Sequence, residues 1–236
     1  MEKELDIVDL GTKHGNAIST FFNLVKKKNA LLNDLNFNVS ALKPKSCIGF
    51  ERPAAENYRS IVEDKGFNFS VLDLSNPADI IKLPQGKVYL MWHFLEHLPD
   101  KPSSKLVLQE ALSKTSGMVW CRLPSFESDL TTGEGVLRQL GLRFTWTHWS
   151  GHTSFWLVDD CVQAIAEWSE KNPQRKFNLV IKPSDYMQDT NDKRIVPIGA
   201  PIDTQVYSPS YGKKPFKTFN PKVVSAWEVV VKFKDV

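Results

Sequence analysis

The sequence predicts an α/β fold with a seven-stranded, mostly parallel sheet, an antiparallel hairpin at one sheet edge and a small β-rich C-terminal extension. Two observations lead to this prediction. Over residues 5–171, short apolar runs alternate with amphipathic segments of helix length, a pattern typical of a parallel sheet covered on both faces. From residue 172 onwards, the runs are short and separated by prolines. We therefore expect an α/β domain over residues 1–171 and a basic, β-rich extension over residues 172–236 that packs on it.

Seven apolar runs are predicted to form the strands of the main sheet, namely residues 5–10, 47–50, 68–72, 88–92, 118–121, 144–149 and 154–158. Five amphipathic segments are predicted to form helices, namely residues 16–28, 53–65, 104–114, 135–140 and 160–171. Only residues 150–153 separate the last two strands, which is too short for a crossover helix, so these strands are expected to form the edge hairpin. Residues 29–40 are either a surface insertion or an extra turn.

The extension is expected to contain short strands and no long helix. Prolines exclude long helices from it, at positions 183, 197, 201, 209, 215 and 221. Its strands are expected at residues 177–181, 194–197, 205–207 and 223–233. In the last of these, Trp227, Val229 and Val231 alternate with the residues between them as in a half-buried strand.

Length and composition restrict the class of protein. A chain of 236 residues with 42% hydrophobic residues can bury one sizeable core and a small appendage, but not two full domains. No stretch approaches the roughly 20 apolar residues of a membrane span, and the first residues lack the apolar region of a signal peptide. Cys47, Cys121 and Cys161 are too scattered for a disulfide framework and form no CxxC pair. We expect a soluble, cytoplasmic protein with reduced thiols and no bound metal.

Basic residues are concentrated in the extension. Residues 171–236 carry 12 basic and 6 acidic residues, whereas residues 1–170 carry 18 basic and 21 acidic ones. Aromatic residues are interleaved with these cations, at Tyr207, Tyr211, Phe216, Phe219 and Trp227. Aromatic rings beside cations suit nucleic acid. A solvated, lysine-rich surface is the other interpretation.

A glycine-containing turn follows the first predicted strand. Residues 7–16 read Ile-Val-Asp-Leu-Gly-Thr-Lys-His-Gly-Asn, so an apolar run leads through Gly11 and Gly15 into a helix. Such a turn lets backbone N–H groups and the helix N-terminus approach a ligand closely, and Asp9 at the strand end can accept hydrogen bonds. The turn is therefore either a nucleotide-binding turn or a purely structural one.

Acidic residues also follow the second and third predicted strands. Glu51 comes directly after residues 47–50, and Asp73 comes directly after residues 68–72. One carboxylate can accept hydrogen bonds from both hydroxyls of a ribose, and Glu51 fits that role. We expect Asp9, Glu51 and Asp73 to converge at one edge of the sheet.

Residues 93–97 read His-Phe-Leu-Glu-His and match the H-x-x-E-H pattern of inverzincin zinc proteases. That pattern requires a long helix on which His93 and His97 share a face. Here a β-like run precedes His93, and Pro99 and Pro102 leave room for little more than one helical turn. The context therefore disfavours a zinc hydrolase.

Together, these motifs resemble those of the class I S-adenosylmethionine (SAM)-dependent methyltransferases, a family with a Rossmann-like fold. The family carries D/E-x-G-x-G-x-G after its first strand, which Asp9, Gly11 and Gly15 match, while Lys13 replaces the middle glycine. Glu51 and Asp73 match the family's acidic residues after the second and third strands. Residues 93–100 are similar to its H-x-L-E-H-L-x-D signature. The resemblance covers about residues 5–160.

The resemblance implies a SAM-dependent methyltransferase whose acceptor is unknown. It implies a SAM site formed by Asp9, Gly11, Thr12, Lys13, Gly15, Glu51, Arg52, Asp73, Leu74 and Trp92. His93, followed by His97, is the candidate base, which is required only if the acceptor has a proton to lose. Lys13 and His14 are alternative partners for the methionyl carboxylate.

A second hypothesis is a methyltransferase-like fold without catalysis that binds nucleic acid or a protein partner through the extension. Lys13 in the glycine turn is the feature that motivates it. Two further histidines, His148 and His152, lie among tryptophans in the sequence. They are expected either to pack in the core or to help hold a flat substrate.

Overall fold

The computed structural model describes residues 4–27, 43–127 and 133–234. The strands within these residues are β1 (Leu5–Leu10), β2 (Cys47–Glu51), β3 (Asn68–Val71), β4 (Gly86–Trp92), β5 (Thr115–Pro124), β6 (Leu142–Phe144), β7 (Phe177–Asp189), β8 (Ile195–Pro197) and β9 (Thr218–Phe233). The α-helices are α1 (Asn16–Lys26), α2 (Arg59–Glu63), α3 (Pro77–Ile80), α4 (Lys101–Lys114), α5 (Glu134–Arg138) and α6 (Val158–Lys171). Short 3₁₀ turns span Pro44–Ser46, Pro53–Tyr58, Leu95–His97, Thr145–His148 and Pro209–Tyr211.

Seven strands form one sheet in the order β3-β2-β1-β4-β5-β9-β7, and β6 pairs with β8 in a second, two-stranded sheet. The first five strands of the chain run parallel, whereas β9 is antiparallel to both of its neighbours, β5 and β7. From β1 the chain moves outwards to β2 and β3, and then returns to the other side of β1 with β4. The direction of the connections therefore reverses at β1. In open parallel sheets, ligands bind at such a point, beyond the carboxyl ends of the strands.

Apolar side chains cover both faces of the sheet. On one face, Tyr89 of β4 packs in a cluster with Leu108 of α4 and Trp168 of α6. On the other face, α1 contributes Ile18 and Phe21. Consecutive side chains of β4 are fully buried, from Val88 through Met91. This burial is what a strand in the interior of a two-sided parallel sheet requires.

Side-chain caps determine where two of the long helices begin. Asp100 accepts a hydrogen bond from the N–H of Ser103 at 2.8 Å, and Pro102 occupies the first turn of α4. In the first turn of α6, the Asp160 carboxylate accepts the N–H of Leu157, the residue before the helix, at 2.8 Å. Both helices therefore begin two or three residues earlier than the sequence predicted.

The predicted α/β fold class and the first five predicted strands are confirmed. The predicted edge hairpin is wrong in its position. Residues 145–148 form a 3₁₀ turn, and residues 154–158 form no strand. Aromatic residues gave both segments the composition of strands, but this preference reflects packing against neighbours more than backbone geometry. Trp156, for example, is buried from a non-strand segment, where its Nε1–H donates to Cys161 Sγ at 3.0 Å.

The antiparallel edge of the sheet is instead formed by β7 and β9, which lie in the predicted extension. The strands predicted at 177–181 and 223–233 are confirmed but are longer than expected, whereas residues 205–207 form no strand. The described part of the extension contains no α-helix, as its prolines predicted. The domain boundary at residue 171 stays a prediction. Residues 29–40 lie outside the described residues.

Two predictions from composition also concern the fold. Cys47, Cys121 and Cys161 are free and buried, as expected. Within the described residues, no helix combines the length and the apolar side chains that crossing a bilayer requires.

Gly49→Ala is expected to destabilise the fold. A Cβ at residue 49 would lie 2.5 Å from Cγ2 of Thr12 and 2.6 Å from its Oγ1, so the turn after β1 would have to move. Such overpacking lowers the free energy of unfolding by about 1–3 kcal/mol, which urea denaturation measures. Gly199→Ala is the matched control, because no heavy atom lies within 4 Å of the Cβ it would add. An equal loss of stability in the control would contradict this explanation.

Candidate functional site

The turn between β1 and α1 is held tightly against β2. The N–H groups of Gly11 and Thr12 both donate to the carbonyl of Phe50, at 3.0 and 3.2 Å. Gly11, Lys13 and Gly15 all have left-handed backbone angles, with φ of 74°, 42° and 65°. At Lys13 this conformation costs about 1–2 kcal/mol relative to glycine, because its Cβ crowds the following carbonyl.

Space as well as backbone angle requires glycine at position 11. A Cβ there would lie 2.6 Å from Cδ2 of Phe94. The absence of a side chain at Gly11 therefore lets the Phe94 ring pack directly against the turn, and the backbone of Gly11 forms one side of a cradle beyond the end of β1.

Two of the three predicted acids converge at this cradle. Glu51, at the end of β2, accepts the N–H of Lys13 at 2.8 Å through Oε1 and the N–H of Arg52 at 3.3 Å through Oε2. Asp73, after β3, accepts the N–H of Ser75 at 3.1 Å. Both carboxylates line a cavity of about 380 Å³ beyond the carboxyl ends of β1 and β2. We call it the turn cavity.

Asp9, the third acid, lies beneath the turn and does not line the cavity. The residue is 1% exposed, and within the described part of the chain neither carboxylate oxygen has a hydrogen-bond partner. Burial raises the pKa of Asp9 to about 7, and the charge of Glu51 adds to the rise. The neighbouring Thr12 hydroxyl opposes it, but it is not in hydrogen-bonding geometry.

The structure thus brings together most, but not all, of the residues predicted to bind the cofactor. Those that line the turn cavity are Gly11, Lys13, Glu51, Arg52, Asp73 and Leu74, together with the two candidate bases, His93 and His97. Asp9, Thr12, Gly15 and Trp92 do not line it. Trp92 instead packs edge-on against Trp120, with ring centroids 5.2 Å apart, and lies under the guanidinium group of Arg122.

The predicted bases follow β4 in an irregular segment. His93 has a left-handed φ of 52°, and its N–H donates to the carbonyl of Arg122 at 2.8 Å. Its side chain is 50% exposed, with Nδ1 3.6 Å from Oε1 of the fully buried Glu96. His97 ends the 3₁₀ turn Leu95–His97, and Pro99 follows. The H-x-x-E-H residues therefore do not form the long helix that an inverzincin site requires.

A second cavity, of about 570 Å³, lies on the other side of these histidines. We call it the outer cavity. Its walls come from the end of β5, the turn after β6, and strands β7 and β9, and they include Trp146, Trp149 and Ser225. Lys13, His93, His97 and Trp149 line both cavities, so these four residues form the boundary between them.

Most arginine charge in the outer cavity is already paired. Arg122 donates to Glu228 at 2.7 Å, and Arg194 contacts both Asp185 and Asp192. The two aspartates hold the pKa of Arg194 above its ordinary value. The cavity is consequently polar without a strong excess of positive charge among its described side chains.

Sequence reasoning missed several residues that line the outer cavity. Asp185, Arg194 and Ser225 come from the predicted extension, where no motif marked them. Glu96 was present in a sequence pattern but was not assigned to the site, and His152 was assigned to it only as one of two alternatives. The H-x-x-E-H motif was the available signal for Glu96.

Comparisons with known proteins support the fold. No protein-family model and no curated protein matches the sequence. A SAM-dependent methyltransferase from Archaeoglobus fulgidus matches the structure with a TM-score of 0.55 and 13% identity, over 98% of this chain and 87% of that one. The small RNA methyltransferase HEN1 matches with a TM-score of 0.53 and 9% identity, over 100% of this chain and 24% of that one. An O-methyltransferase family protein from Burkholderia thailandensis matches with a TM-score of 0.52 and 10% identity, over 98% of this chain and 51% of that one.

The predicted class I methyltransferase fold is therefore confirmed. This chain spans most of the archaeal structure, about half of the Burkholderia one and about a quarter of HEN1. At these sequence identities, the likeness shows the fold alone.

Asp9→Asn is expected to stabilise the protein increasingly as the pH rises from about 4 to 7. The pKa of Asp9 is raised from 3.8 to about 7 in the folded state, so the folded protein binds more protons than the unfolded chain within this range. The wild-type protein therefore loses stability as the pH rises towards the pKa that Asp9 has in the folded state, whereas the variant has no such group to ionise. The advantage of the variant in unfolding free energy should grow by up to about 1.4 kcal/mol per pH unit and level off above about pH 8.

Asp6→Asn is the control for this experiment. Asp6 is also buried in β1, but Lys87 pairs with it at 2.7 Å, and its pKa lies below the ordinary value. The stability difference for that variant should therefore be constant between pH 5 and 8. A flat profile for Asp9→Asn over the same range would contradict the proposed shift.

Proposed function

We propose that this protein is a SAM-dependent methyltransferase. The observation that carries the proposal is the pair of cavities that meet at His93 and His97. The turn cavity has the backbone cradle and the carboxylates that suit an adenosyl group. The outer cavity provides separate space for a methyl acceptor, so that donor and acceptor would approach each other at the shared boundary.

The residues of the turn cavity fit the chemical groups of SAM. Each carboxylate oxygen of Glu51 accepts one backbone N–H and retains a lone pair for a ribose hydroxyl. Asp73 is the candidate acceptor for the adenine amino group. The ammonium group of Lys13, which lies 5.7 Å from the centre of the Trp149 ring, is a candidate partner for the methionyl carboxylate.

Bound SAM would supply an electrophilic methyl group on a sulfonium. Because its transfer is an in-line displacement, the main task of the protein is to align the acceptor with that methyl group. Trp146 and Trp149 offer apolar faces against which a flat acceptor would rest. His93 would accept a proton from an acceptor that has one to lose, since its half-exposed ring faces both cavities.

The non-catalytic alternative has less support. No contact among the described residues specifically favours nucleic acid, and several aromatic and basic groups of the extension serve the fold itself. Phe219 is buried, and the Lys214 ammonium lies 4.3 Å from the centre of the Tyr207 ring. Trp227 donates its Nε1–H to Glu127. Binding of nucleic acid by the extension stays a prediction.

Calorimetry with SAM tests the proposal, and Glu51→Gln is the informative variant. The carboxamide oxygen of the variant can keep the contact with the Lys13 N–H. The substitution nevertheless removes the negative charge that strengthens hydrogen bonds to the ribose. Loss of charged hydrogen bonds worth about 1.5–3 kcal/mol should weaken binding by roughly 10- to 150-fold. Glu63→Gln is the matched control, because Glu63 is exposed on α2 and does not line the turn cavity. It should bind SAM like the wild type.

Lys13→Gly decides whether the substituted glycine turn accepts the cofactor. Wild-type binding with an affinity above that of Lys13→Gly would support a role for the ammonium group, whereas equal affinities would show that the turn tolerates the lysine without using its charge. Absence of SAM binding by both proteins, each folded by circular dichroism, would refute the methyltransferase proposal.

A further inference from the structure

Three potential metal ligands converge on the wall of the outer cavity. One carboxylate oxygen of Glu96 and one ring nitrogen each of His97 and His152 lie within 4.8 Å of one another. All three residues line the outer cavity, and His97 also lines the turn cavity. We infer that they form a binding site for a divalent transition-metal ion, in addition to the proposed SAM site.

Glu96 is a buried carboxyl group without a hydrogen-bond partner among the described residues. Its side chain is 0% exposed, and neither carboxylate oxygen accepts a hydrogen bond from the described residues. Its backbone carbonyl accepts the N–H groups of Thr153 and Ser154, at 3.0 and 3.1 Å, so it is fixed to the segment that carries His152. Burial of a carboxylate without a partner is strongly unfavourable, and a bound cation would remove that penalty.

Backbone hydrogen bonds fix the tautomer of both histidines. Nδ1 of His97 lies 2.8 Å from the carbonyl oxygen of Gly151, and Nδ1 of His152 lies 2.8 Å from that of Trp146. Because a carbonyl can only accept, each Nδ1 must carry the proton, and in the neutral ring Nε2 is left with a free lone pair. A hydrogen bond from the other ring nitrogen to a carbonyl is the arrangement that usually surrounds histidine ligands.

The cluster of Glu96, His97 and His152 therefore presents three acceptor groups, a carboxylate and two ring nitrogens, and none of the three donates a hydrogen bond to another. The ring centres of His97 and His152 are 4.7 Å apart, and each histidine directs its N–H to a backbone carbonyl instead of to Glu96. The remaining charged neighbour is His93, whose Nδ1 lies 3.6 Å from Glu96 and would balance its charge only when protonated. A divalent cation satisfies all three acceptors at once.

The ligand set indicates the kind of ion. Imidazole nitrogens with one carboxylate suit zinc, cobalt, manganese or iron, whereas magnesium and calcium favour oxygen ligands alone. Structural zinc sites have four protein ligands, so three ligands leave coordination positions open. Those positions would face the outer cavity. Provided that the proposed function is correct, the ion would bind an oxygen atom of the acceptor there, which makes a hydroxyl-bearing acceptor the preferred class.

Cobalt(II) is the probe for this site, because its visible absorption reports the coordination geometry. Full-length protein stripped with EDTA should bind one equivalent of Co²⁺, and Zn²⁺ should displace it. Glu96→Gln and His152→Gln should each weaken binding by at least about tenfold, since even the neighbours of ligands contribute that much. His148→Gln is the matched control, because His148 is an exposed histidine outside the cluster.

Wild-type protein decides the matter even if both variants fail to fold. A folded wild type that binds neither Co²⁺, Zn²⁺ nor Mn²⁺ stoichiometrically would refute the site, as would an unchanged affinity in folded Glu96→Gln and His152→Gln. Calorimetry with SAM separates the two proposals. Metal binding without SAM binding supports the site and contradicts the methyltransferase function, whereas SAM binding without metal binding contradicts the site alone.

Discussion

The structure depends on how the chain leaves the sheet at the end of β1. It must turn between the parallel strands β2 and β4 without filling the turn cavity beyond their carboxyl ends. The carbonyl of Phe50 meets this constraint by accepting two successive N–H groups, those of Gly11 and Thr12. Gly49 beneath the turn leaves room for the Thr12 side chain, and Gly11 leaves room for Phe94. The turn is thereby pressed against β2, and the turn cavity stays open above it.

Buried charge differs between the two ends of β1. Asp6, near its start, is paired with Lys87, and its pKa is lowered. Asp9, three residues later, has no hydrogen-bond partner among the residues that the structure describes, and its pKa is raised by burial. Glu96, in the segment that follows β4, likewise lacks a hydrogen-bond partner within the described residues. Buried carboxyl groups without hydrogen-bond partners thus occur at the carboxyl edge of the sheet, where both cavities lie. A ligand site at this edge is the simplest physical explanation for them.

Much of the fold could be predicted from the sequence, because the periodicity of apolar residues reflects burial directly. The five parallel strands and the glycine turn were found in this way, and so were Glu51 and Asp73, which follow their strands at the edge where ligands bind. The pairing of β7 and β9 could not be found, since strands distant in sequence pair through contacts that local composition does not encode. For the same reason, the segments around Trp146 and Trp156 were mistaken for strands.

The outer cavity was the least predictable part of the site. Its walls combine the H-x-x-E-H motif with residues such as His152, Asp185 and Ser225, which only the folded chain brings together. A motif identifies residues that act from one short segment. It cannot identify a group of ligands supplied by a turn after β4 and a loop before α6.

The position of β9 between β5 and β7 has a consequence for the order of assembly. Within the described sheet, β7 pairs with β9 alone, so β7 emerges from the ribosome before its hydrogen-bonding partner exists. The five parallel strands can associate earlier, whereas one wall of the outer cavity forms only when β9 inserts. Such long-range pairing is slow to form. A nascent chain would therefore acquire the turn cavity first and complete the wall of the outer cavity last.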